Sequence, residues 1–115
     1  MIMTQEDKEL LLKDLCARLP YHPIVYVDEN LPHLKLGGAT RVWEYTAVDK
    51  PCKPYLRPMS SMTEEENEEY IKRNLYGFHW DFVDWCNSKH LDYRDLIDKG
   101  LALEAPERMY NIKKK

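Results

Sequence analysis

His79, Cys86 and His90 are spaced for chemistry, at intervals of seven and four residues. On one continuous helix they share a face, at ~100° per residue, and zinc accepts imidazole and thiolate together. A fourth ligand would have to come from Cys16, Cys52, His22 or His33, and none stands at a spacing that recommends it. A cysteine on an apolar helix face is more often simply buried. The expectation is therefore core packing, with no bound metal or other cofactor.

Other reactive types fare no better. Cys52 lies between Pro51 and Lys53, and a neighbouring lysine lowers a thiol pKa. No G-x-S-x-G elbow and no cysteine-protease phrase accompanies it. Asp81, Asp84, Asp92, Asp95 and Asp98 offer carboxylate pairs, yet a helical surface this acidic does so by chance. Gly37-Gly38 reads as a turn, because no G-K-[ST] follows it. No catalytic residue is assigned, and a small metal- or thiol-dependent enzyme is the remotest of three readings.

Binding is better supported. Arg41, Lys50, Lys53 and Arg57 interleave with Trp43, Tyr45 and Tyr55, the mixture used by single-strand nucleic-acid platforms. The run Glu64, Glu65, Glu66, Glu68 and Glu69 and a net charge of −3 oppose phosphate approach, and no helix-turn-helix, zinc-finger or RNP phrase is present. Nucleic acid is thus the second reading. The first is protein binding. Prolines bracket Tyr55–Met62, which holds that stretch extended and lowers the entropy lost on binding. Tyr, Trp, Arg and Met are also enriched at interfaces. The expected surface is Trp43, Tyr45, Tyr55, Arg57, Met59 and Met62. Its structural alternative is a crossover in which Tyr55, Leu56 and Met59 pack on helices while Arg57 bridges to an acid.

These residues need elements to hold them. Thr4 caps a first helix whose apolar face is Leu12, Leu15, Cys16 and Leu19, and Pro20 stops it. Prolines 20, 23, 32, 51, 54 and 58 nearly exclude long helices from the next stretch. Ile24–Val27, His33–Leu36 and the alternating Arg41–Tyr45 read as strands, and Cys52–Arg57 as a short edge strand. Thr63 and Glu66 form a capping box before an apolar stripe of Ile71, Leu75 and Phe78. Asp81–Lys89 forms another helix with Phe82, Trp85 and Cys86 inward. Asp92 caps a last helix over Tyr93–Lys99, stapled by Leu91 and Leu96 and closed by Gly100.

The expected fold is α+β: an N-terminal helix, a small antiparallel β-meander of three or four strands, then two or three C-terminal helices packed on the sheet. At 115 residues this is a single domain over 1–115, with 1–3 and 107–115 frayed. Three cysteines without a CxxC spacing fit a reducing cytoplasm. The acidic N-terminus lacks a signal-peptide pattern. No stretch reaches the ~20 apolar residues of a membrane span.

Three phrases carry a resemblance: K-D-L-C-A-R-L-P-Y (Lys13–Tyr21), K-P-Y-L-R-P-M-S-S-M-T-E-E-E (Lys53–Glu66) and D-Y-R-D-L-I-D-K-G-L-A-L-E-A (Asp92–Ala105). They resemble a family of short, uncharacterised proteins encoded by phages and prophage-like elements of gut bacteria. The resemblance covers nearly the whole chain except Ile24–Asp49. It implies a genetic setting in a bacterial host cell, with no activity to carry over; the expected partner of the interaction surface is a host or phage protein.

Overall fold

The structure, a computed structural model, describes residues 4–37, 41–46, 51–106 and 109–110, with the side chain of His79 left out. The expectations for residues 1–3, Gly38, Lys50, 107–108 and 111–115, and for the His79 imidazole, lie outside the described residues. Elsewhere the architecture is α+β, with an N-terminal helix, a four-stranded sheet and further helices.

Helix α1 spans Gln5–Arg18, and the Thr4 hydroxyl accepts from the Asp7 amide at 3.0 Å. Its buried stripe is Leu11, Asp14, Leu15 and Arg18, so the expected face is displaced by one residue and Cys16 is exposed. The cause is electrostatic. Asp14 and Arg18 stand four apart and neutralise each other, with Arg18 Nε donating to Asp14 Oδ2 at 2.8 Å. That pairing lets two charged side chains enter the core beside the leucines.

Strand β1 (Ile24–Tyr26) pairs antiparallel with β2 (Leu34–Lys35). The hairpin between them turns on Asp28, whose carboxylate accepts from the amides of Asn30 and Leu31. Arg41–Tyr45 departs from expectation: Trp43–Thr46 is a short helix, α2, rather than a strand. Val42 and Thr46 are buried while Trp43 faces solvent, and this spacing of four belongs to a helix as readily as alternation belongs to a strand.

Strand β3 (Lys53–Leu56) was expected at an edge and is instead interior, in the order β2-β1-β3-β4. Its neighbours are staggered. β1 registers antiparallel with Lys53 and Pro54, and β4 (Leu103–Glu104) registers parallel with Tyr55 and Leu56. The strand is therefore an edge at each end in turn, which accommodates a proline without an N–H. The sheet is mixed, not a purely antiparallel meander.

Helix α3 spans Glu64–Tyr76 behind a complete capping box: the Thr63 hydroxyl accepts from the Glu66 amide, and Glu66 accepts from the Thr63 amide at 3.0 Å. Thr63→Ala should lower stability by about 1 kcal/mol, read as a lower urea midpoint at unchanged slope. Gly77 ends α3, because its amide donates to Arg73 O and a Cβ there would lie 2.7 Å from that oxygen. The stripe expected to pack, Ile71, Leu75 and Phe78, is exposed, and no residue of α3 is fully buried.

Helix α4 spans His79–Ser88 and buries Trp85 and Cys86. It stops before His90, which takes φ +59°, so the continuous helix needed for a His79–Cys86–His90 face is not formed. The last expected helix is also absent. Residues 93–99 form turns, because Asp95 adopts φ +58° and the Asp92 carboxylate accepts from the amides of Leu96 and Ile97. Leu91 and Leu96 are buried all the same, and Gly100 takes the left-handed conformation (φ +76°) expected of it. The Tyr110 hydroxyl donates to Tyr55 O at 2.6 Å and accepts from the Ile24 amide at 3.0 Å, tying this late residue to β1 and β3.

Candidate functional site

The six residues expected to form an interaction surface are divided by the fold. Trp43 is exposed on α2, whereas Tyr45 packs on the cluster of Leu11, Leu15 and Val25. Tyr55, half-buried in β3, meets the His33 ring edge-on at 5.3 Å. Met59 and Met62 come together against Trp85, Cys86 and Leu91.

Arg57 is only 6% exposed. Its guanidinium donates twice to Glu66, at 2.7 and 2.9 Å, and also to the carbonyls of Lys89 and Ser61. This fork holds the Glu66 carboxyl well below the usual range, to about 2. The charge of Arg57 is thus spent inside the molecule, joining the strand end, the start of α3 and the end of α4. That is the structural crossover weighed above.

A cleft of about 970 Å³ opens elsewhere. Along α4, Trp80, Val83, Asp84 and Asn87 recur at three, four and seven residues and supply one wall. Lys13 and Ala17 of α1 face it, Tyr70 of α3 and Met59 contribute, and the turn Asp92–Asp95 completes it. Tyr70 and Phe82 pack with ring centroids 5.1 Å apart. Tyr21 donates to Asp84 Oδ1 at 2.7 Å and fixes that carboxylate.

Behind Tyr93 lies a buried charge cluster. Arg18 Nη2 donates to Asp14 and to Leu91 O, and Arg94 Nε stands 3.1 Å from Asp14 Oδ1, close but off-line for a hydrogen bond. The guanidinium carbons of Arg18 and Arg94 lie 5.3 and 5.0 Å from the Tyr93 ring centre. Within the α4 wall one polar atom is buried without a partner. Asn87 is 3% exposed, and its Oδ1 has no hydrogen-bond partner among the described residues.

Of the six expected residues only Met59 lines this cleft. The sequence signal for it is the crowding of Phe78, Trp80, Phe82 and Trp85, of which Trp80 alone is assigned no role by periodicity. Asn87 carries no sequence signal, since its significance is its burial.

Two of the three thiols, Cys52 and Cys86, are buried and poorly suited to attack, whereas Cys16 is exposed. Burial pushes Cys52 up to about 12 and Cys86 to about 11. Among the described residues no group of three His, Cys, Asp or Glu side chains could hold a metal ion.

His90 stacks on Tyr110 with centroids 3.6 Å apart, and burial, aided by Arg18 and Arg57, lowers its pKa to about 4. A depressed histidine binds fewer protons folded than unfolded, so its contribution is intact above pH 6.5 and is lost as pH falls toward 4. His90→Asn, which tolerates the left-handed backbone, should flatten the stability–pH curve in that interval. An unchanged slope in urea titrations across it would contradict this assignment.

With this geometry in view, no protein-family model, no curated protein and no solved structure matches the chain.

Proposed function

We propose that the protein is a non-enzymatic protein-interaction module, and that the aromatic cleft docks a segment of a host or phage protein. One observation carries the reading. Phe78 and Trp80 are 73% and 70% exposed, stack with centroids 6.3 Å apart, and run into the cleft through Trp80. Large rings held in water beside a concavity are the anchors that interfaces use. The interaction surface therefore moves from residues 43–62 to the cleft, with Met59 shared. The three quoted phrases support a phage or prophage setting. Among the described residues no helix is long and apolar enough to cross a membrane, and the unpaired cysteines support the host cytoplasm as the place of action.

The nucleic-acid alternative is weakened, because Arg57 is committed to Glu66 and only Arg41, Lys53 and Trp43 remain of its described basic and exposed aromatic set.

Selection of random displayed peptides on the immobilised full chain tests the docking reading. Trp80→Ala should weaken the selected peptides by about 30-fold, as expected of an aromatic anchor. Failure to select peptides, or peptides indifferent to Trp80→Ala, would remove the cleft as the docking site.

A further inference from the structure

We infer that the outer face of α3 is a self-association surface, on which a second copy of this chain packs antiparallel about a two-fold axis. This goes beyond the docking reading and stands on different residues, since neither Ile71 nor Leu75 lines the cleft.

Helix α3 is held to the molecule along one face. Glu66 is bound by Arg57, Tyr70 packs on Phe82, and Arg73 pairs with Asp81. These three positions are four and three residues apart, one stripe of a helix. Opposite them stand Glu64, Glu68, Ile71 and Leu75, all exposed, at intervals of four, three and four. That is the seam spacing into which a second helix fits. Ile71 and Leu75 are 49% and 65% exposed, and Tyr76 and Phe78, more exposed still, extend the apolar surface around the end of the helix.

Area and charge order both point to a second copy. The four apolar side chains offer roughly 400–600 Å², at the limit of the patches that monomers leave open. In a two-fold pair each Ile71 meets Leu75 of the second copy, so one patch supplies both halves of the contact. With the stems of Glu64, Glu68 and Lys72 added, the pair buries roughly 1,000–1,200 Å² in total, the low end for specific association. The charges decide the direction. Glu64, Glu65 and Glu68 occupy the first half of α3, and the apolar residues the second. Parallel pairing would set the glutamates beside their own copies, whereas antiparallel pairing sends them to opposite ends, in water. It also opposes the two helix dipoles.

Sedimentation equilibrium of the full chain from about 5 to 500 µM should show a reversible monomer–dimer equilibrium within that range. Leu75→Glu, at a position open to water, should keep the circular dichroism spectrum and weaken association at least about 30-fold. Ile71→Glu is the second variant should the first unfold. Trp80→Ala, which tests the cleft, should leave association unchanged. Direction is read by cross-linking in a Cys16→Ser background. Ile71→Cys and Leu75→Cys proteins, oxidised together, should form the mixed disulfide in preference to either self-linked product. A chain that stays monomeric throughout overturns the inference, as does a dimer indifferent to both folded glutamate variants or a preference for self-linked products. Each of these outcomes leaves the docking reading to its own test with Trp80→Ala.

Discussion

Asp14→Leu should destabilise the protein by about 3–5 kcal/mol, the cost of stranding a buried charge. Asp14 is fully buried and faces two guanidinium groups, with Arg18 itself fully buried. Arg94 is 19% exposed and can turn toward water; Arg18 has no such route. A domain of this size holds roughly 5–15 kcal/mol in total, so the variant sits near the limit of folding. The double variant Asp14→Leu with Arg18→Met should regain much of the loss, since an apolar pair of similar volume removes the charge burial together with the attraction. Urea unfolding of the three proteins decides the matter. Equal midpoints for wild type and Asp14→Leu would mean that the carboxylate contributes nothing to holding the helix in place.

Arg57→Met should cost about 3 kcal/mol, because Glu66 and the carbonyls of Lys89 and Ser61 lose their donor together. The loss should depend on pH. Glu66 has its folded pKa lowered from 4.5 to about 2, so the stabilisation is present above pH 4.5 and disappears as pH falls toward 2. The gap between wild type and Arg57→Met should therefore be wide near neutrality and close through that interval. A gap of constant size at all pH values would show that the arginine acts by packing alone. The interval meets the one assigned to His90 only near pH 4 to 4.5 and otherwise lies below it, so two successive acid steps are expected.

How much was legible from the residues depended on whether the cause was local. Thr63 with Glu66, Thr4 as a cap, and Gly100 as a left-handed terminus were all readable, because each concerns one turn of chain. The buried face of α1 was misjudged by one position. Periodicity is present, but a stripe drawn through apolar residues alone leaves out Asp14 and Arg18 and turns toward Cys16. Arg41–Tyr45 was ambiguous in kind, since five residues satisfy two periods at once. The interior position of β3 depended on a strand contributed by Leu103–Glu104, far along the chain. The cleft was least legible of all. Its walls come from α1, α3, α4 and the Asp92–Asp95 turn, and no window of sequence holds them together.

The stagger of β3 has a consequence for the order of assembly. Its first half is satisfied by a strand made earlier in synthesis, and its second half by one made much later. A chain emerging from the ribosome therefore holds Tyr55 and Leu56 without their lateral partner until the segment beyond Gly100 has been extruded. Such distant pairing slows closure. The nascent protein should remain open to chaperones and proteases up to that moment, then close in one late step.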